Sequence, residues 1–454
     1  MGVREISVNA TERKVLDYIE IHRDEIVDFV RGLIKYKTYN PQNPGDPVYE
    51  TKECQEFIDR KLREMGLETE LYEPDMEAID KKYKGTPNYI PNRIFCLKDR
   101  PQLWSRLKGS GGGKSMILVG HIDTVPAEPI EAWKHDPFEA EVEDGRVYGR
   151  GAADMKGGVA AMIKALEFVE RAGLRLKGDV QVWSVNEEEV GSMGSFVLVD
   201  KFLVEKGYEA DGVMVPECTG MEIVTALRGI IFGKMTVKGV SGHAEGTKHP
   251  HWSQGGAVSA IHKAFKIFSA ISELNNEWYV HPRKQHPLYQ CWRTVPPACW
   301  VTMISGGSAP NTFAGDCTMT YDIQYNPNEK GEDVIREFEE YILKICETDS
   351  WLKHSPPKFE WGISVIPYET STDDPIVKNL IDATKVVGHE PTVVGAPWYC
   401  DAGPIVLRTK VPAVVFGPGY AEFAHKPDER VSIEQMVECC KAYALALLRW
   451  CGTS

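Results

Sequence analysis

The chain has 454 residues, enough for two or three hydrophobic cores, and its 43% apolar and 26% charged residues are the balance of an ordinary soluble globular protein. A formal net charge of −14 gives no attraction to a phosphate backbone, and no apolar run reaches a membrane-spanning length, so neither nucleic acid nor a membrane is an expected partner. Eleven cysteines without CxxC spacing argue against a disulfide framework or a cysteine zinc site and make the cytoplasm the expected compartment.

The N-terminus is charged and amphipathic, without the apolar segment of a secretory signal, and Ile6 stands where a myristoylation pattern requires Ser or Thr. Residues 11–36 read as one amphipathic helix and 52–65 as a second, ended by Gly66, with a Pro- and Asn-rich loop between them. GSGGGKS (109–115) is one residue short of a phosphate loop and precedes a strand instead of following one, so it reads as a flexible surface connection. MILVG (116–120) is a buried strand of parallel-sheet type, as are DVQVWSVN (179–186), DGVMVPE (211–217) and VPAVVFGPG (411–419). The apolar stripe between Gly157 and Gly173 is a core helix. From about residue 222 the pattern changes to alternating, antiparallel-type strands and two amphipathic helices; near 348 the buried α/β character returns, and a last helix opens on Ser432 and Gln435 in capping-box spacing. The expected architecture is an α/β catalytic domain formed by 1–222 and 348–454, with 223–347 inserted as a small α+β domain.

Imidazoles and carboxylates stand just past the predicted strands, where open α/β sheets place their ligands. His121 and Asp123 follow the first strand, Glu187, Glu188 and Glu189 the second, Glu217 ends the third, and His425 follows the last. Asp154 lies in the glycine-flanked GRGAADMKGG. Three consecutive glutamates at a sheet end repel one another unless a cation neutralises them. A His and carboxylate donor set without thiolates suits zinc, with cobalt or manganese as alternatives, and two such ions need a bridging carboxylate, for which Asp154 is the natural candidate. Asp123, two residues from His121 on an extended segment, points the same way and suits a carboxylate that orients the imidazole.

HIDTVP, WKHDPFEAEVEDGRVYGRGAADMKGG, EEEVGSMGS, VPECTG, SGHAE and GPGYAEFAHKPDE together resemble the M20 metallopeptidases of the acetylornithine deacetylase type. That group includes succinyl-diaminopimelate desuccinylase, aminoacylase-1 and the glutamate carboxypeptidases. The resemblance implies a zinc-exopeptidase-like α/β/α catalytic domain carrying an inserted lid and dimerisation domain. It implies one metal on His121, Asp154 and Glu217, a second on Asp154, Glu189 and His425, and Glu188 as general base. A register shifted by one residue, with Glu187 as base and Glu188 as ligand, is the alternative. It further implies a homodimer in which His243 of SGHAE reaches the oxyanion of the other subunit's substrate, and a pocket lined by Asn311. Asp401, in WYCDAGP, resembles a family position and would equally serve as a helix cap.

One departure concerns substrate. Relatives that bind an α-carboxylate often carry Arg in a D-x-R strand motif, where YDIQYNP has Gln324, so either Arg228 substitutes or the substrate has no such carboxylate. The aromatic-rich segment 277–300 would line a larger apolar pocket, whereas His249, His251, His281 and His286 read as solvated loop histidines. The expected activity is hydrolysis of an N-acyl amino acid or related small amide. A di- or tripeptidase or carboxypeptidase is one alternative, and a non-catalytic binding protein on the same fold is the other.

Overall fold

The structure, a computed structural model, describes residues 7–41, 46–86, 97–245, 250–289 and 298–454, without the side chains of residues 363 and 364. Ile6, His249 and residues 290–297 of the aromatic-rich segment lie outside these ranges. The chain forms two compact units, Met1–Thr225 with Glu369–Val394 and Cys400–Ser454 in one, and Ala226–Tyr368 with Gly395–Tyr399 in the other.

The larger unit is built on a mixed sheet in which Glu68–Tyr72, Gln102–Leu107, Val180–Val185, Met116–His121, Val213–Val215 and Ala413–Val415 lie side by side in that order. The last four run parallel, as their uninterrupted apolar runs require of strands covered on both faces. Parallel strands end at the same edge, so the residues that follow Val185, Val215 and Val415 emerge beside His121. Helix Gly157–Arg171 is buried from Gly157 to Val169. A Cβ on Gly158 would stand 1.9 Å from the Pro216 carbonyl oxygen, so glycine here lets the helix start directly against the strand end that presents Glu217. The predicted helix over 11–36 is two helices, Ala10–Ile21 and Arg23–Ile34, separated at His22, whose Nδ1 bonds the Tyr18 carbonyl at 2.8 Å. GSGGGKS is pinned instead of loose: Ser110 and Gly111 donate to the carbonyls of Leu176 and Lys177, and a Cβ on Gly113 would meet the Cys451 carbonyl at 1.9 Å.

The smaller unit is an antiparallel sheet ordered Cys299–Gly306, Asp316–Tyr325, Gly229–Lys238, Lys358–Val365. Period-2 alternation turns Ile231, Met235 and Val237, with Cys317, Met319, Tyr321 and Ile323, toward helices Ala260–Val280 and Gly331–Glu347, which answer with Ile267, Ile271, Leu274, Val334, Phe338 and Ile342. This unit continues past residue 347 because Lys358–Val365 pairs with Gly229–Lys238, Lys358 opposite Thr236 and Val365 opposite Ile230. Among the described residues the nine cysteines are buried and unbonded, and no helix is long and apolar enough to cross a membrane. His251 and His281 are exposed, as expected, and accept from main-chain N–H groups at the starts of short helices, whereas His286 is buried.

Candidate metal centre

His121 closes its strand fully buried. Its Nδ1 lies 3.0 Å from the main-chain oxygen of Asp123, which leaves Nε2 facing 3.2 Å from Asp154 Oδ1 and 3.7 Å from Glu217 Oε1. The other Asp154 oxygen, Oδ2, is 3.3 Å from His425 Nε2, which in turn is 2.9 Å from Glu189 Oε2. Asp154 therefore offers one oxygen to each imidazole. In His121–Asp154–Glu217 and in Asp154–Glu189–His425, three ligand atoms lie within 4.8 Å of one another. Glu187 belongs to neither group; Glu188 Oε2 is 3.9 Å from His121 Nε2 and outside both.

Burial and the neighbouring carboxylates push Glu217 well above the ordinary carboxyl range, burial does the same to Glu188, and Glu189 is raised to about 7. Hydrogen bonds that His425 donates to the Asp154 and Glu189 carboxylates lift its pKa to about 10. Burial opposes charge on His121, but Asp123 and Asp154 outweigh it and its pKa rises well above the usual value. Burial would raise Asp154, yet the two imidazoles hold it below the usual range. Four buried or half-buried carboxylates around two imidazoles would carry surplus negative charge if all were ionised, and the oxygen and nitrogen donors of the two groups fit divalent cations that would balance it.

The glutamates are aimed by a strained turn. Glu187 has φ +78°, Gly191 +136° and Ser192 +57°, and His425 itself sits at +60°; each non-glycine residue in this region costs roughly 1–3 kcal/mol. Asp123 holds the turn: its Oδ1 accepts from the Glu188 N–H at 3.3 Å and its Oδ2 from the Glu189 N–H at 3.2 Å and from Asn40 Nδ2 at 2.6 Å. Asn40 accepts in turn from buried Arg100 at 2.6 Å. Asp123 thus orients the turn as well as the imidazole. Asp401 caps no helix N–H; its Oδ1 accepts from Ser195 Oγ at 2.7 Å. Glu429 has no role in the sequence reading, although it closes the motif that contains His425. It is buried, accepts the main-chain N–H groups of Ala153 and Asp154 at 3.0 and 3.1 Å, and pairs with Arg150 at 2.6 Å.

The remaining residues singled out from the sequence lie in the smaller unit. His243, exposed, pairs with Thr312 in a two-stranded ribbon, and Ala244 N–H donates to the Asn311 carbonyl at 2.8 Å, so the ribbon brings His243 and Asn311 to adjoining positions. Arg228 is buried, stacks over Tyr289 at 4.6 Å and donates from Nη1 to Gln324 Oε1 at 3.2 Å.

The family model for peptidase family M20/M25/M40 matches residues 117–449. The chain belongs to that family. This M20 chain is a hydrolase of amide bonds. It is 30% identical over 451 residues to N-formyl-4-amino-5-aminomethyl-2-methylpyrimidine deformylase of Bacillus subtilis, covering 96% of each chain. It is 28% identical over 417 residues to succinyl-diaminopimelate desuccinylase of Hahella chejuensis, covering 90% of this chain and 93% of the relative. Its fold is similar to that of the di-peptidase Dug1p from Saccharomyces cerevisiae, with a TM-score of 0.72 at 16% identity, covering 97% of this chain and 98% of the other. The mixed α/β fold expected from the sequence is the fold of this M20 member.

Proposed function

We propose that this M20 hydrolase is a two-metal N-deformylase of a small amide that has no α-carboxylate, of the aminopyrimidine class that names its Bacillus subtilis relative. The observation that carries this reading is Gln324, which stands where carboxylate-binding relatives hold Arg and is engaged with the candidate cation Arg228 at 3.2 Å.

His121, Asp154 and Glu217 would hold one divalent ion, and Asp154, Glu189 and His425 the other; zinc suits these donors best, with cobalt or manganese as alternatives. The ions would supply Lewis acidity to the scissile carbonyl and to water. Glu188, beside both groups but in neither, is the general base: it takes a proton from the attacking water and returns it to the leaving nitrogen. Asp123 keeps the His121 tautomer and the Glu188 backbone in place. His243 steadies the oxyanion, and Asn311, Arg228 and Gln324 line the substrate site. The smaller unit serves as lid and dimerisation domain of a homodimer, a reading supported by its edge strand Cys299–Gly306 and by the exposed Phe265 and Phe268 of helix Ala260–Val280.

The test offers metal-loaded protein three substrates: N-formyl-4-amino-5-aminomethyl-2-methylpyrimidine, N-succinyl-diaminopimelate and an unblocked dipeptide. The formamide is expected to give the highest kcat/KM. Preference for the succinyl compound overturns the substrate reading, and preference for the dipeptide favours a peptidase, the reading that the fold of Dug1p supports.

A further inference from the structure

Two buried carboxylates stand at the turn that carries Glu188 and Glu189, both within the larger unit. Asp123 holds the main-chain N–H groups of the two glutamates. The other is Asp401, at the opposite end of the turn.

The turn is a closed ring. It leaves its strand at Asn186, the Ser192 N–H returns to the Glu187 carbonyl at 2.8 Å, and helix Met193–Leu198 begins at once. A Cβ on Gly194 would stand 2.2 Å from the Asn186 carbonyl oxygen, so the start of this helix is pressed against the strand end. In so tight a contact a shift of the helix is passed on to the glutamates between them.

Ser192 sits at the capping position of that helix but caps no N–H; its hydroxyl lies against Asp401, outside hydrogen-bond geometry. Ser195, one turn on, donates to Asp401 Oδ1 at 2.7 Å. Ser192, Ser195 and Asp401 are all 0% exposed, so no water replaces these contacts if they are lost. Leu407, on the helix that Asp401 precedes, packs against Met193, Phe196 and Val197 and brings Ala402–Thr409 onto the same short helix.

We infer that Asp401 is a positioning residue: through Ser195 and Ser192 it fixes helix Met193–Leu198, and with it the direction in which Glu188 and Glu189 leave the turn. This rests on the reading of Glu188 as base and Glu189 as metal ligand. His121 and Glu217 stand at the ends of other strands, so loss of Asp401 loosens the position formed with Glu189 and His425 and spares the one formed with Glu217.

The experiment compares full-length wild type with Asp401→Ala, Asp401→Asn and Ser195→Ala, the last removing the same bond with less risk to folding. Hydrogen exchange of the metal-free proteins is read on the peptide that spans 187–192. Exchange there is expected to rise about tenfold in Asp401→Ala and less in Ser195→Ala, with helix Gly157–Arg171 unchanged. Asp401→Asn keeps an acceptor oxygen for Ser195 and stays near wild type. A rise spread evenly over the chain, or none at the turn, overturns the assignment. Zinc titration then reads the two positions: Asp401→Ala is expected to hold one ion within about twofold of wild type and the other about ten- to a hundredfold more weakly. Equal weakening of both overturns it. At saturating zinc, kcat of Asp401→Ala on the formylaminopyrimidine is expected to fall about ten- to a hundredfold with KM within about twofold. Asp401→Asn as impaired as Asp401→Ala would make charge and not position the cause, and overturns the assignment. If wild type takes fewer than two ions or cleaves no amide, the reading of the site falls while the exchange comparison still decides the role of Asp401.

Discussion

Glu429 Oε1 accepts the main-chain N–H of Asp154 at 3.1 Å, so the carboxylate that faces both imidazoles is positioned through its own backbone by a residue that touches neither imidazole. The second Glu429 oxygen, Oε2, takes buried Arg150 at 2.6 Å. Glu429→Ala leaves a buried guanidinium unpaired and two N–H groups without acceptors. It is expected to cost about 3–5 kcal/mol in denaturant titration of metal-free protein, and to weaken metal uptake. Glu429→Gln retains an acceptor oxygen for the backbone and loses less. Equal losses in the two variants contradict this positioning role.

Glu188→Gln keeps size and hydrogen bonding but cannot take a proton. Turnover is expected to fall by about 10²–10⁴, with metal content by elemental analysis unchanged. A parallel loss of bound metal would make Glu188 a ligand and return the register shifted by one residue.

The carboxyl of Glu189 titrates at about 7 in the folded chain against an ordinary 4.5. Below 4.5 folded and unfolded chains both hold the proton; between 4.5 and 7 the unfolded chain releases it first, so rising pH withdraws stability from metal-free protein. Glu188 and Glu217 shift in the same direction. His425, raised from 6.5 to about 10, adds stability below 6.5 that is lost as pH climbs through 10. Asp154, shifted down, contributes stability that is fully present above its ordinary 3.8 and is lost only as pH falls below that value. A divalent cation replaces these protons, so the gap in Tm between loaded and stripped protein is expected to widen from pH 5 to pH 8. A constant gap speaks against the cluster as the binding site.

Gln324→Arg restores a charged fork where the neutral amide now stands. It is expected to lower KM for N-acyl amino acids by about tenfold and to raise it for a neutral formamide. No gain on carboxylate-bearing substrates would detach position 324 from substrate choice.

Four of the candidate ligands, His121, Glu189, Glu217 and His425, stood out because each follows an apolar strand, and a parallel sheet gathers such positions at one edge whatever their separation in sequence; Asp154 stood out only by its flanking glycines. The glutamate triplet was legible by its mutual repulsion. Glu429 and Asn40 were not, because a polar residue takes its meaning from a partner, and Glu429 finds Asp154 across 275 residues. The break at His22 carried no glycine or proline; it depends on the imidazole stacking on Tyr18 at 4.0 Å. Lys358–Val365 was assigned by its apolar character to the flanking α/β region, whereas the register that ties it to Gly229–Lys238 is a property of the pairing and not of either segment. Arg228 was read as a possible carboxylate clamp; its bond to Gln324 is what the residue list alone did not contain.

The buried thiols have a practical consequence. Burial holds Cys54 at about 11 and Cys451 at about 12, so neither is a thiolate at neutral pH. They are spread through the molecule, with Cys54 in an N-terminal helix, Cys299 and Cys317 on paired strands of the smaller unit, and Cys439 and Cys440 in the C-terminal helix. A thiol reagent reaches such a sulfur only when its surroundings open, so the order in which they are alkylated is a chronology of local unfolding. The chain carries its own set of stopwatches, and running them with and without added zinc would time how far the metal's grip extends from the strand ends.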